Sequence, residues 1–477
     1  MMRAVEAAAT EKTAVPPVDV LLVACYELGH QPLSLAWPAA VLRAAGFSVA
    51  AVDLSVDSLP RDIAARARFV GISVPMHTAL RLGVRAAADV RALNPDAHIC
   101  FYGLYAWLNA GYLLAGAANS VLAGEMERAL VETIVEVLAS GDGAGSQGWT
   151  AGGRQRPDTQ PDGPQLTRLA LPIPDRRGLP PLTRYARYME GNEARLAGYV
   201  EASRGCLHTC RHCPVVPVYG GRFFVVPADT VLADVRQQVA AGAAHITFGD
   251  PDFLNGPGHV LKIARAVHAE FPHLTFDFTT KVEHILQHRA LFPELRALGA
   301  SFVISAFESV SDNVLRRLRK GHSEADMADA LAVLDDAGLP VQPTWLPFTP
   351  WTNLQDYINL LAWVRRHDLI ANIPPVQLSI RLLVPPGSAL LDEPDAADWL
   401  GPLDAANFTY TWRNPDPCVD ELQARVSAIA ERGDDPDEAF AAIERLAYAM
   451  AGQRPPEPAA RVRLKPVPPR LTEDWFC

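Results

Sequence analysis

The residues best suited to chemistry are concentrated in Ser203-Arg204-Gly205-Cys206-Leu207-His208-Thr209-Cys210-Arg211-His212-Cys213, where three of the seven cysteines fall within eight residues. Spacings of three and two intervening residues let one short loop wrap three thiolates around a single inorganic centre, and Gly205 gives the approach the freedom such a loop needs. A [4Fe-4S] cluster suits this set best, because one of its four irons is left without a cysteine and is open to the amino and carboxylate groups of a small molecule. A structural zinc site needs a fourth protein ligand. His208 or His212 would have to supply it, since the chain has no second Cys-x-x-Cys pair. A disulfide is disfavoured by the odd number and by the absence of a hydrophobic leader, which leads us to expect a reducing, cytoplasmic setting.

Cys-x-x-x-Cys-x-x-Cys at the head of a run of βα units resembles the radical S-adenosylmethionine (SAM) superfamily, over roughly Val200 to Ser388. The resemblance implies that the open iron binds SAM and that one electron from the reduced cluster breaks a carbon-sulfur bond of the sulfonium. It further implies a small-molecule substrate and a flavodoxin- or ferredoxin-type electron donor. Carried over residue by residue, it assigns Gly249 and Asp250 to the SAM amino group, and Lys281, Glu308 and Ser309 to its carboxylate and ribose. Arg381 becomes a further carboxylate partner, suited by its planar fork, and His212 a ring beside adenine. Read singly, each is equally an ordinary charge on a barrel rim.

Around this stretch the composition is that of a well-packed protein, with 49% hydrophobic and 20% charged residues. A net charge of -11 argues against a nucleic-acid surface, and no apolar run reaches the roughly 18 residues of a membrane span. The fold class expected is α/β. Val18–Ala24, Val49–Asp53, Phe69–Ser73 and His98–Phe101 read as buried strands alternating with helices, which describes an N-terminal doubly wound parallel sheet, Rossmann-like, over residues 1–139. A Gly-, Pro- and polar-rich linker over 140–197 leads to a partial (β/α)6 barrel of TIM type at 198–388. Its strands are Tyr199–Ser203, His245–Asp250, Phe276–Lys281, Phe302–Glu308, Val341–Phe348 and Val376–Leu383. A helical cap at 389–452 and a proline-rich tail at 453–477 complete the chain.

A doubly wound domain upstream of a radical SAM core resembles the cobalamin-binding type. Members of that type that ligate cobalt carry Asp-x-His-x-x-Gly after the first strand, whereas the loop here reads Cys25-Tyr-Glu-Leu-Gly-His-Gln-Pro-Leu-Ser34. His30 has neither the aspartate nor the glycine, so cobalamin bound without a protein ligand and a cobalamin-free domain both stay open. Gly124-Glu125 faces a ligand or makes a plain strand-to-helix turn.

The ending Trp475-Phe476-Cys477 resembles the start of the Cys-Cys-Ala-Glu-Pro or Cys-selenocysteine-Ala-Glu-Pro tail of one radical SAM group. That group includes enzymes like the one of arsinothricin biosynthesis, which transfers the 3-amino-3-carboxypropyl group of SAM to arsenite. This resemblance implies that Cys477, with Cys418 as a further thiol, holds a soft substrate such as trivalent arsenic, and that the native reading frame continues past Cys477. The alternatives are a 5′-deoxyadenosyl-radical or cobalamin-dependent methyltransferase acting on a small natural product, and a non-catalytic iron-sulfur redox sensor.

Overall fold

The computed structural model describes residues 18–140, 162–433, 435–455 and 468–472. Its first layer is a five-stranded, all-parallel sheet of β1 (Val20–Ala24), β2 (Val49–Asp53), β3 (Phe69–Ser73), β4 (His98–Tyr102) and β5 (Ser120–Leu122) in the order β2-β1-β3-β4-β5. The strands are nearly continuous apolar runs because helices α1 (Leu33–Ala44), α2 (His77–Leu93) and α3 (Glu127–Ser140) cover both faces and leave no wet side. The strand order reverses between β1 and β3. In open α/β sheets a ligand crevice forms at that switch point, outside the carboxyl ends of the strands.

The second sheet curls into a barrel wall. It begins with a hairpin of β6 (Arg187–Glu190) and β7 (Glu193–Val200), followed by a small pair, β8 (Ser203–Gly205) and β9 (Phe223–Val225). Helix α4 (Ala228–Ala240) leads to β10 (His245–Phe248), α5 (Pro257–Glu270) to β11 (Thr275–Thr280), and α6 (Val282–Gln287) with the short segments after it to β12 (Ala300–Glu308). Helices α7 (Asp312–Leu318) and α8 (Glu324–Asp336) precede β13 (Val341–Trp345), and α9 (Leu354–Arg366) packs behind it. Strands β7, β10, β11, β12 and β13 are mutually parallel, so their carboxyl ends share one rim. Two of the helices carry reciprocal capping boxes, Ser323 with Asp326 and Asn353 with Asp356, which fix where the chain leaves that rim.

Two differences from the sequence reading have local causes. Val376–Leu383 is not a sixth strand: it forms a 3-10 turn at Pro375–Leu378 and a single bridge between Phe348 and Arg381. Pro374 and Pro375 remove two ladder donors, and the exposed edge of β13 is satisfied by a side chain, with the Trp345 N–H donating to Gln377 Oε1 at 3.0 Å. The stretch read as linker contains β6 and the start of β7, and Arg176 within it donates to both oxygens of Asp234 and to the Tyr199 carbonyl. The cap adds a hairpin, β14 (Leu400–Asp404) with β15 (Thr409–Trp412), to helices α10 (Pro417–Ala430) and α11 (Pro436–Met450). Phe408 at its tip packs into the N-terminal core against Tyr112, and α1 sends Leu33, Ala36 and Trp37 into the barrel core. No helix among the described residues is long and apolar enough to cross a membrane.

The barrel floor closes through β16 (Arg470–Leu471), which pairs antiparallel with β6 and therefore runs parallel to the barrel strands, toward the rim. Gln342 on β13 donates to the Pro469 carbonyl at 3.0 Å, joining the two edges of the wall. Leu471 is buried with Tyr188, Ala197 and Phe302, beneath a stack in which the Tyr188 ring lies 4.0 Å from that of His245. Removing its side chain leaves a void on the barrel axis that the stacked rings cannot fill. Leu471→Ala is expected to destabilise the protein by about 2–3 kcal/mol, read as a lower urea midpoint with the slope unchanged. A loss under about 0.5 kcal/mol, the range of an ordinary surface substitution, would mean that this strand is not part of the wall.

Candidate functional site

Cys206, Cys210 and Cys213 lie on the loop between β8 and the turn at Val216–Tyr219, at the carboxyl rim. All three are free thiols, as are Cys25, Cys100 and Cys418 among the described residues. The loop is cradled by close backbone packing: Gly205 has φ +77°, and a Cβ there would stand 2.5 Å from the Arg222 carbonyl oxygen. The Cys206 N–H donates to the same carbonyl at 3.0 Å. Burial raises the Cys206 thiol and pushes Cys213 up to about 12, so the thiolate state at neutral pH depends on bound metal. Three cysteines, with no disulfide and no neighbouring fourth among the described residues, fit a cluster with one open iron.

Of the residues assigned to SAM by resemblance, His212 and Glu308 meet: His212 Nε2 is 3.2 Å from Glu308 Oε1. The same oxygen accepts from Lys320 Nζ at 3.1 Å. Burial alone would raise the Glu308 carboxyl, but the Lys320 ammonium and then His212 outweigh it and hold the group well below the usual carboxylate range. Glu308 also has φ +65°, a left-handed conformation that a glutamate adopts only where its surroundings impose it, as at functional sites. Ser309 beside it accepts from the Ser311 N–H at 3.1 Å, steadying that turn. Lys281 pairs with Glu283 at 3.1 Å and shares with Lys320 a cavity of about 680 Å³ beside the cluster loop.

Others are turned elsewhere. The Asp250 carboxylate is directed back into the protein, accepting from the Ala202 N–H at 2.9 Å and Ser203 Oγ at 2.5 Å, so it braces the strand that enters the cluster loop. Gly249 is required by close approach, since a Cβ there would sit 2.0 Å from the Tyr199 hydroxyl. Arg381 is not available to a SAM carboxylate: it donates to Asp420 at 2.6 Å and to the Trp412 carbonyl, with its guanidinium 3.5 Å from the Trp412 ring centre. Having no sixth strand to carry it, it faces the cap. Cys418 is exposed on the first turn of α10, where the Asp416 carboxylate beside it raises the thiol, opposite to what a thiolate ligand needs. Cys477 lies outside the described residues.

Sequence reasoning missed the centre of the interface between the two sheets. Arg204, next to the cluster loop, reaches Glu127 Oε1 at 2.6 Å, with Glu125 at 3.6 Å and Glu201 at 3.7 Å, and lies 4.3 Å over the Trp37 ring. These carboxylates line or flank a cavity of about 270 Å³ that joins the β1/β3 switch point to the barrel rim. Glu27, His30, Ser73, Tyr199 and Gly249 border it, and His30 stacks on Tyr199 at 4.6 Å. Lys320 had one faint signal, a cation twelve residues after Glu308 at the far end of a single helix. Glu125 had one in Gly124-Glu125 at the strand-to-helix turn, and Glu127 and Glu201 had none.

Residues 200–361 match the family described as Radical SAM superfamily. They form a radical SAM domain. The chain is similar to a Methanocaldococcus jannaschii protein provisionally named as a methylthiotransferase, 23% identical over 174 residues (34% of this chain and 37% of that one). It is also similar to hopanoid C-3 methylase of Methylococcus capsulatus, 24% identical over 174 residues (36% and 33%). It thus spans about a third of the length of each of these relatives. Among solved structures, the cobalamin-dependent SAM radical enzyme OxsB with aqua-cobalamin and SAM bound has a TM-score of 0.66 at 12% identity, covering 92% of this chain and 74% of that one. The radical SAM methyltransferase TsrM from Kitasatospora setae, with cobalamin and a [4Fe-4S] cluster, has a TM-score of 0.57 at 15% identity, covering 74% and 73%. They share the arrangement of a doubly wound sheet on a radical SAM domain.

The residues at the sheet edge do not reproduce a cobalamin site. His30 is held against Tyr199, and the end of β5 is covered by backbone, with Gly124 bridged to Gln165 and the Glu125 N–H donating to the Gln165 carbonyl at 2.7 Å.

Burial pushes Glu27 and Asp250 up to about 7 and Glu201 up to about 8. Their unfolded values lie near 4, so the folded state binds more protons, and stability present at low pH is lost as pH rises through 7 to 8. Between about pH 7.5 and 8.5 the histidines whose pKa values are lowered are almost wholly neutral in both states, their unfolded values lying near 6.5, and contribute little slope. Urea unfolding under anaerobic conditions is expected to show stability falling across that window, and Glu201→Gln to flatten the fall. Stability rising with pH there would contradict the burial of these carboxyls.

Proposed function

We propose that this chain is a radical SAM transferase: it holds a [4Fe-4S] cluster on Cys206, Cys210 and Cys213, cleaves SAM reductively, and modifies a small molecule in the cavity between its two sheets. The observation that carries this reading is a shared edge. The cysteine loop, the Glu308–Lys320–His212 group and the inter-sheet cavity all stand at the carboxyl rim of the parallel strands, where barrels and doubly wound sheets alike bind ligands.

When bound, the cluster supplies the electron that breaks a carbon-sulfur bond of SAM. In this reading Lys281 and Lys320 offer fixed positive charge to the SAM carboxylate, His212 places a ring beside adenine, and Glu308, kept ionised, accepts from ribose hydroxyls. Tyr199, Glu27 and Glu201 orient the second substrate. With their raised pKa values the two glutamates are able to donate as well as accept hydrogen bonds near neutral pH. An electron donor of the flavodoxin or ferredoxin class completes the requirement.

A second, finer reading, transfer of the 3-amino-3-carboxypropyl group to trivalent arsenic with help from Cys477, has one structural support. β16, the last described strand before Cys477, runs toward the rim. Products separate the readings. Anaerobic turnover with SAM and dithionite is expected to consume SAM: methylthioadenosine supports aminocarboxypropyl transfer, whereas 5′-deoxyadenosine or S-adenosylhomocysteine supports adenosyl-radical or methyl transfer. Unconsumed SAM with an intact, reducible cluster would overturn the transferase reading and leave a redox sensor.

A further inference from the structure

Beside the cluster loop, outside the residues used above, three metal-ligating side chains converge from separate elements. His208 comes from the loop itself, Asp252 from the turn after β10 and His284 from α6, and each offers a donor atom within 4.8 Å of the other two. His208 Nε2 is 3.2 Å from His284 Nε2 and 3.6 Å from Asp252 Oδ2, and His284 Nδ1 is 2.9 Å from the same Asp252 oxygen. Ligand bonds of about 2.0–2.2 Å around one cation put neighbouring donors roughly 2.9–3.6 Å apart, from octahedral to tetrahedral angles, and since a histidine gives an ion one nitrogen, either choice at His284 leaves two donor pairs in that range, 2.9 and 3.6 Å with Nδ1 or 3.2 and 3.6 Å with Nε2.

The hydrogen bonding supports a shared cation over a mutual contact. Asp252 is fully buried, and its Oδ1 is occupied, accepting from the Leu254 N–H at 3.1 Å and from Thr280 Oγ1 at 2.8 Å. Its Oδ2 has no hydrogen-bond partner, and neither has Nδ1 of the buried His284, although the two atoms are only 2.9 Å apart. A buried carboxylate oxygen without a donor is costly, and donors that stand close without aiming at each other are arranged as ligands of a common ion are. The other nitrogen of His208, Nδ1, is 3.6 Å from Glu283 Oε2, on the side where a ligating histidine usually meets a carboxylate.

We propose that His208, Asp252 and His284 bind one divalent transition-metal ion, distinct from the iron-sulfur cluster. Two imidazoles and one carboxylate select the zinc and ferrous class over magnesium or calcium. The ion ties the cluster loop to β10 and α6, three elements that the chain brings together by no other side-chain set of this kind among the described residues. The assignment does not rest on which bond of SAM is cleaved.

The test uses the anaerobically reconstituted holoprotein, dialysed against zinc(II) and analysed for iron and zinc together. Wild type is expected to carry one zinc per chain in addition to its four irons, with a zinc K-edge spectrum fitted by nitrogen and oxygen neighbours alone. His284→Ala should keep the four irons and weaken zinc binding beyond the about 10- to 100-fold that loss of an outer partner costs. His288→Ala, one turn further along, should bind zinc as wild type does. Absence of zinc beyond the irons, zinc retained in His284→Ala, or sulfur in the zinc shell would each overturn the proposal.

Discussion

The site depends first on one buried cation. Arg204 is in the chain two residues before the first cluster cysteine and in space against Glu127 and Glu125 of the N-terminal sheet, with Glu201 from its own barrel and Trp37 beneath it. Burial alone would lower its pKa, but the surrounding carboxylates overcome this and raise it, so the charge persists. A buried ion pair of this kind adds little stability over a well-packed apolar contact, while removal of one partner strands the others at about 3–5 kcal/mol. Its value lies in registration. A cluster loop anchored to the opposite sheet stays at one distance from the cavity that both sheets wall, and radical chemistry requires that the reacting atoms be positioned within a fraction of an ångström.

From this anchor the remaining features fall into place. Tyr219 donates to Glu125 at 3.2 Å, so the helical turn after the cysteines shares the same carboxylate cluster. Asp250 braces Ala202 and Ser203 from the next strand. On the far side of the loop, Glu308 is held in a left-handed conformation between Lys320 and His212, the kind of strain a protein sustains where function demands it. The loop is thus gripped on both flanks by charge before any iron enters. Burial raises the Cys206 and Cys213 thiols on it.

How much of this was legible in the sequence follows from the range of each interaction. Val49–Asp53 and Phe69–Ser73 read correctly to the residue, because a strand buried on both faces declares itself as a local apolar run. The three cysteines are equally local. Strand β6 was hidden because Arg187-Tyr188-Met189-Glu190 is only four residues long and does not alternate polar and apolar side chains, and β16 because two residues after a proline run carry no pattern of their own. The apolar stretch Val376–Leu383 misled in the other direction, and with it Arg381, since nothing local says that Gln377 will satisfy the edge of β13. The pairing of the carboxylates with Arg204 was invisible for a stronger reason: Glu125, though noted at its turn, is nearly eighty residues from Arg204, and a buried glutamate is indistinguishable in sequence from a surface one.

The account rests on a four-iron cluster held by Cys206, Cys210 and Cys213, and iron analysis of the anaerobically reconstituted protein tests it most directly. We expect about four irons per chain in the wild type, with an oxygen-sensitive charge-transfer absorption and a reduced-state paramagnetic signal that SAM perturbs, and none of these in the Cys206→Ala, Cys210→Ala, Cys213→Ala triple variant. Four irons and an unchanged absorption in the triple variant would contradict it.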